Sequence, residues 1–202
     1  MPDRIRRTQQ ERSATTRAQV LDATLASLVE DGYAATTISG IQARAGVARG
    51  TLLHHFPTRA TLLVAVVEDV AARRLRVLED GRGHRTGGWD DAVDLVWADL
   101  QSPVFLAVLE LWVAARTDDN LKEALVPVER AVFESVHRAI LALVADDDPR
   151  VPTLVQFTID LLTGSTMTTL LADDRRLQGV LLDRWRRAIP VLLGRAGADD
   201  WI

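Results

Sequence analysis

The stretch Thr36-Thr37-Ile38-Ser39-Gly40-Ile41-Gln42-Ala43-Arg44-Ala45-Gly46-Val47-Ala48-Arg49-Gly50-Thr51-Leu52-Leu53-His54-His55-Phe56-Pro57-Thr58-Arg59 decides the fold. Ile38, Ile41 and Ala45 recur at helical spacing, and Thr37 is placed to cap that helix by accepting a backbone N–H. Gly46 interrupts the helix and Val47 resumes apolar packing. A second short helix then runs from Ala48 or Arg49 to His55. Leu52 and Phe56 face inward four residues apart, and Pro57 ends the run. Two short helices about a tight turn form a helix-turn-helix, whose second helix fits the DNA major groove. Its outer face offers Arg49, Thr51, Leu53, His54 and His55, while Gly50 permits close backbone approach. Arg49 suits guanine or phosphate, and Thr51 a base edge or a thymine methyl. His55 and Arg59 suit phosphate. His54 and His55 are adjacent and cannot face one metal as an i, i+4 pair could, so no metal role is expected.

Working outward, Val20, Leu21, Leu25, Leu28 and Val29 predict a helix over 16–31, stopped by Gly32. Residues 1–15, with Arg4, Arg6, Arg7 and Arg12, read as a mobile basic arm or a solvated tail. Leu62, Leu63, Val66, Val67 and Val70 predict a helix over 59–79, followed by a glycine-bearing loop over 80–88. Five further helices are expected over 89–100, 103–117, 120–145, 149–172 and 175–194. No alternating β-branched run demands a sheet. The fold class is therefore all-α, with a small N-terminal three-helix domain and a larger helical body. The expected domain division is 1–62 and 63–202.

Composition bounds the function. The 202 residues are 48% hydrophobic and contain no cysteine, which excludes disulfides and thiolate zinc sites. No charge-free run reaches transmembrane length and no signal-type apolar run follows the early arginines, so a soluble cytoplasmic protein without a membrane partner is expected. The net charge of −4 hides an asymmetry: residues 1–76 hold 11 arginines against 7 acids, and the rest 13 bases against 21 acids. A basic end on an acidic body fits DNA contact by one end. No nucleophile–base spacing suggests an enzyme. The arginine- and alanine-rich composition with a single lysine points to a bacterial genome of high GC content.

The quoted stretch, with Gly32-Tyr33-Ala34-Ala35 before it, resembles the DNA-binding core of the TetR family of transcriptional regulators over about residues 16–65. Gly46-Val47 occupies that family's turn, and Leu52-Leu53-His54-His55-Phe56 its Leu-Tyr-His-His-Phe helix end. Leu53 replaces the usual phosphate-contacting tyrosine, Arg59 the usual lysine, and Ala48 a common Ser or Thr cap. The resemblance implies DNA contact through Thr37, Arg49, Gly50, Thr51, Leu53, His54, His55 and Arg59. It also implies an effector-binding, homodimerising body and no cofactor. On that reading the chain is a repressor released from a palindromic operator by a small hydrophobic or amphipathic effector. Its alternative is an activator, or a regulator answering to a protein partner. Effector binding would shift the 59–79 helix and separate the two reading heads. Candidate effector contacts are Trp97, Phe105, Leu109, Trp112, Phe133, Phe157 and Met167, each more often core than cavity lining on burial tendencies, and Asp160, which with Glu110, Arg116 and Arg138 is a polar anchor. Candidate dimer contacts are Leu154, Thr158, Leu161, Leu162, Ser165, Leu181, Trp185 and Ile189, unless these pack within one chain.

Overall fold

The protein is described from a computed structural model, which covers residues 2–81, 87–168, 170 and 175–197. The described residues form nine helices and no strand. These are α1 (Pro2–Ala35), α2 (Ile38–Ala45), α3 (Arg49–His55), α4 (Arg59–Gly81), α5 (Trp89–Leu100), α6 (Pro103–Ala115), α7 (Asp119–Val144), α8 (Val151–Thr168) and α9 (Arg175–Leu192). The all-α expectation holds. Helix ends fall within a few residues of their expected places, except at the N-terminus, and the expected end of α8 at 172 lies outside the described residues. Expected breaks within 82–86 and at Asp173–Asp174 lie outside the described residues.

The expected arm is instead the first turns of α1, a correction with a simple cause. Nothing between Pro2 and Val20 breaks a helix, and proline is tolerated in a first turn, where its missing N–H costs no hydrogen bond. Apolar spacing begins only at Val20, so Gln9–Gln19 stay largely in solvent. Gly32 does break the direction of α1. Its φ of 77° lies in the left-handed region, and a short helical turn resumes after it.

The chain divides into two compact units: residues 1–74 with 103–132, and residues 75–102 with 133–202. The first unit packs Val20, Leu21 and Leu28 of α1 around Ile41 of α2, Leu52 of α3 and Leu62, Leu63, Val66 and Val67 of α4. Leu111 of α6 and Leu121 and Leu125 of α7 complete that core. Spacings of three and four place each helix's apolar stripe inward. In the second unit α5 packs against α8 and α9. Ala92, Val93, Val96, Leu154, Val155, Leu162 and Ile189 are buried there.

The second unit is closed by a knot of charges. Arg150 forks onto Asp148 (2.9 and 2.7 Å) and donates to the carbonyls of Leu192 and Leu193 just past the end of the α9 ladder. Arg195 forks onto Asp146 at 2.6 and 2.9 Å. The α7–α8 turn thereby satisfies carbonyls that a helix end leaves without partners.

Candidate nucleic-acid interface

The reading head is built from caps and one buried face. Thr37 has extended backbone (φ −111°, ψ 155°) and its hydroxyl accepts the Gly40 N–H at 3.1 Å. Gly46 closes α2 in the left-handed conformation at φ 66°, donating to Ala43 and Gln42 carbonyls. Ala48 begins α3 without a side-chain cap. Leu52 is fully buried and Phe56 is 3% exposed, so the seven-residue α3 is held by tertiary packing rather than by its own termini.

Inward fixation of Leu52 and Phe56 decides what faces out. Arg49, Gly50, Thr51 and His54 are exposed, and His55 is half-buried. A Cβ built on Gly50 meets nothing within 4 Å, so this surface is open. Among the described residues no carboxylate pairs with Arg49, so its donors face outward for an anion. Leu53 is half-buried against the edge of the core. Its branched side chain packs there and offers no hydrogen-bond donor.

Arg59 lies differently from the expectation. The guanidinium expected to reach phosphate turns inward. Its Nε donates to the Thr36 carbonyl at 3.0 Å, and one Nη donates to the Tyr33 carbonyl. It also stacks 4.1 Å from the centre of the Tyr33 ring. The carbonyls between α1 and α2 lack helical partners, and a long cation from the start of α4 satisfies them. Glu110 is also engaged here: its carboxylate accepts the Tyr33 N–H at 2.6 Å. Asp118 accepts the Tyr33 hydroxyl at 3.3 Å and the Leu121 N–H at the start of α7. A side chain at Gly32 would meet Glu110 Oε2 at 3.0 Å. Glu110 was legible only as an acid on an apolar helix, because its partner lies 77 residues away.

The candidate effector residues separate by environment. Phe105 and Leu109 are buried, with Phe105 edge-on to Trp112 at 6.1 Å. Trp97 is half-buried. Phe133, Phe157 and Met167 are exposed, and Asp160 accepts both its hydrogen bonds from Gln156. Those four positions lie at the surface of the single chain. An open hollow of about 570 Å³ in the first unit is bounded by Tyr33, Thr58, Leu63, Asp118, Leu121 and Glu123 among others, and by none of the eight candidates.

Among the candidate dimer residues, Leu154, Thr158, Leu162 and Ile189 are buried within the single chain. Within the single chain they contribute to its core. Trp185 donates its indole N–H to the Thr158 hydroxyl at 3.0 Å, which ties α9 to α8. Leu161, Ser165, Leu181 and Trp185 keep partial exposure.

A buried-faced helix that turns an unpaired arginine and small polar groups outward, braced by a capped helix across a left-handed glycine, defines a helix-turn-helix DNA-binding regulator. Residues 20–66 match the family described as bacterial regulatory proteins, tetR family. An HTH-type transcriptional regulator of Mycobacterium tuberculosis, Rv2912c, is 35% identical over 140 residues, covering 68% of this chain and 72% of that protein. The HTH-type transcriptional repressor AcnR of Corynebacterium diphtheriae is 27% identical over 139 residues, covering 66% and 70%. The fold is shared with the multidrug binding protein EbrR, solved with ethidium. There the TM-score is 0.63 at 22% identity, covering 84% of this chain and 98% of that one. The chain belongs to the TetR family and is a DNA-binding transcriptional regulator.

Proposed function

We propose that the protein is a homodimeric, cytoplasmic repressor that occupies a palindromic operator and leaves it when a small hydrophobic or amphipathic effector binds. The observation that carries this reading is the outward face of α3, where Arg49, Thr51 and His54 are exposed around Gly50. Residues 1–62 hold the DNA-reading role, and residues 63–202 the effector and dimer roles. Two copies of so short a recognition helix are needed to read enough bases for specificity, and a two-fold dimer requires a two-fold operator.

The dimer contact is assigned to the outer side of α8, where Phe157, Leu161 and Gly164 follow one another at helical spacing. Phe157 is 52% exposed, unusual for an aromatic residue of a monomer surface. Leu181 and Trp185 of α9 extend that assignment. The effector reading is supported by the ethidium complex of EbrR and by the apolar content of the second unit. The repressor direction is supported by the likeness to AcnR.

Mapping of bound DNA across the source genome tests the whole reading. We expect enrichment at inverted repeats and increased transcription of the adjoining genes on deletion. Reduced transcription on deletion would replace the repressor by an activator. An operator titration that gives the same affinity whatever compound relieves the gene in cells would remove direct effector release and leave a protein partner as the signal.

A further inference from the structure

Several arginines of the reading head are already occupied. Arg44 pairs with Glu30 at 2.7 Å and with Asp31. Arg73 pairs with Asp22 and Asp69 at 2.6 and 2.7 Å. Arg59 is committed to the Tyr33 and Thr36 carbonyls, and Leu53 has no donor. Arg17 of α1 differs from these. No carboxylate stands three or four residues from it on the helix, where Ser13, Ala14, Val20 and Leu21 lie. No acidic partner reaches it from elsewhere among the described residues.

Its position is nevertheless fixed. The Arg17 guanidinium lies over the Phe56 ring, 5.4 Å from its centre. Phe56 is the C-cap of α3, and the His55 ring lies 6.2 Å from the same ring. Arg17 itself is exposed. Stacking uses the flat face of a guanidinium and leaves its N–H edges free, and those edges match a phosphate in a two-pronged fork. A cation is also favoured beside the C-terminal end of a helix.

We propose that Arg17 is a DNA-backbone contact, a phosphate-binding cation delivered from α1 to the end of the reading helix. It supplies the charge that Arg59 turns inward and the donor that Leu53 lacks. The inference rests on DNA binding through α3, and Arg49→Ala is the control for that reading.

The test measures affinity for a random-sequence duplex across a salt series. Each phosphate contact contributes about 0.9 to the slope of log affinity against log salt. Arg17→Ala is expected to lower the slope by about that amount per contacting subunit and to weaken binding several-fold on every sequence. Arg17→Lys is expected to keep the slope. A wild-type slope in Arg17→Ala overturns the proposal, as does a fallen melting temperature with the slope unchanged, which marks a packing role. An Arg17→Lys slope as low as that of Arg17→Ala also overturns it. If Arg17→Ala loses its helical circular dichroism, the uncharged Arg17→Gln carries the same two expectations. A slope that falls in Arg49→Ala alone sinks Arg17 and leaves the α3 reading standing. A slope that falls in neither sinks both.

Discussion

Leu53 puts a hydrocarbon side chain beside a surface that meets phosphates. It is half-buried against the edge of the core and carries no hydrogen-bond donor. Leu53→Tyr retains the apolar body and adds a hydroxyl. It is expected to tighten binding to all duplexes by about 1.5 kcal/mol, roughly tenfold, in an anisotropy titration. Arg59 works the other way. Its side chain bridges two carbonyls and covers Tyr33. Arg59→Ala leaves those carbonyls unsatisfied and is expected to lower stability by about 2 kcal/mol in denaturant unfolding. Its salt slope on duplex DNA should stay near that of the wild type. A lowered slope at unchanged stability would return Arg59 to the phosphate contacts.

At the scale of elements, α2 and α3 are too short to persist alone, since the first turn of any helix is costly to nucleate. Their angle is set by the turn between them. Gly46 at φ 66° is the residue that this turn requires, and a Cβ there meets nothing within 4 Å. Gly46→Ala is therefore expected to act through backbone strain alone. The left-handed conformation costs a side-chain-bearing residue about 1–2 kcal/mol. The melting temperature should drop by several degrees while residual folded protein keeps its DNA specificity. An unchanged melting temperature would mean that the turn has another conformation available. The Arg59–Tyr33–Asp118 and Glu110–Tyr33 contacts link α1, α4, α6 and the start of α7 within one unit, so that head is a wider assembly than its three-helix motif.

At the scale of the whole molecule, acid sensitivity concentrates at the end of the second unit. Arg195 holds Asp146, and Arg150 holds Asp148, below the ordinary carboxylate range. Groups depressed in the folded state add stability above their unfolded pKa of about 4, and that stability is lost as pH falls through the folded value. Asp148→Asn should lower the melting temperature at neutral pH, and the gap to wild type should close as the pH is taken well below about 4. A gap that stays constant with pH would assign the effect of Asp148 to its geometry instead of its charge. Salt should narrow the neutral-pH gap only modestly, because the Arg150 and Arg195 forks are direct contacts.

Local patterns were enough to define the helices in kind, apart from the first turns of α1, and the helix-turn-helix frame. Apolar residues at helical spacing, Thr37 before α2, Gly46 between the helices and Pro57 after α3 each act within one turn of chain, so their consequences can be read in order along it. The exposed outward face of α3 follows from the same periodicity, once Leu52 and Phe56 are assigned inward. Tertiary packing decided which polar side chains remain available. Arg59 and Glu110 look free along the chain, yet both are consumed by the Tyr33 segment. Arg17 looks like part of a solvated helix, yet it is placed on Phe56. Leu154, Thr158, Leu162 and Ile189 carry the same pattern whether they meet a partner or their own chain, and burial assigned them to the core. A hydrogen bond or an ion pair depends on where distant segments meet, and periodicity along a chain carries no information about that meeting.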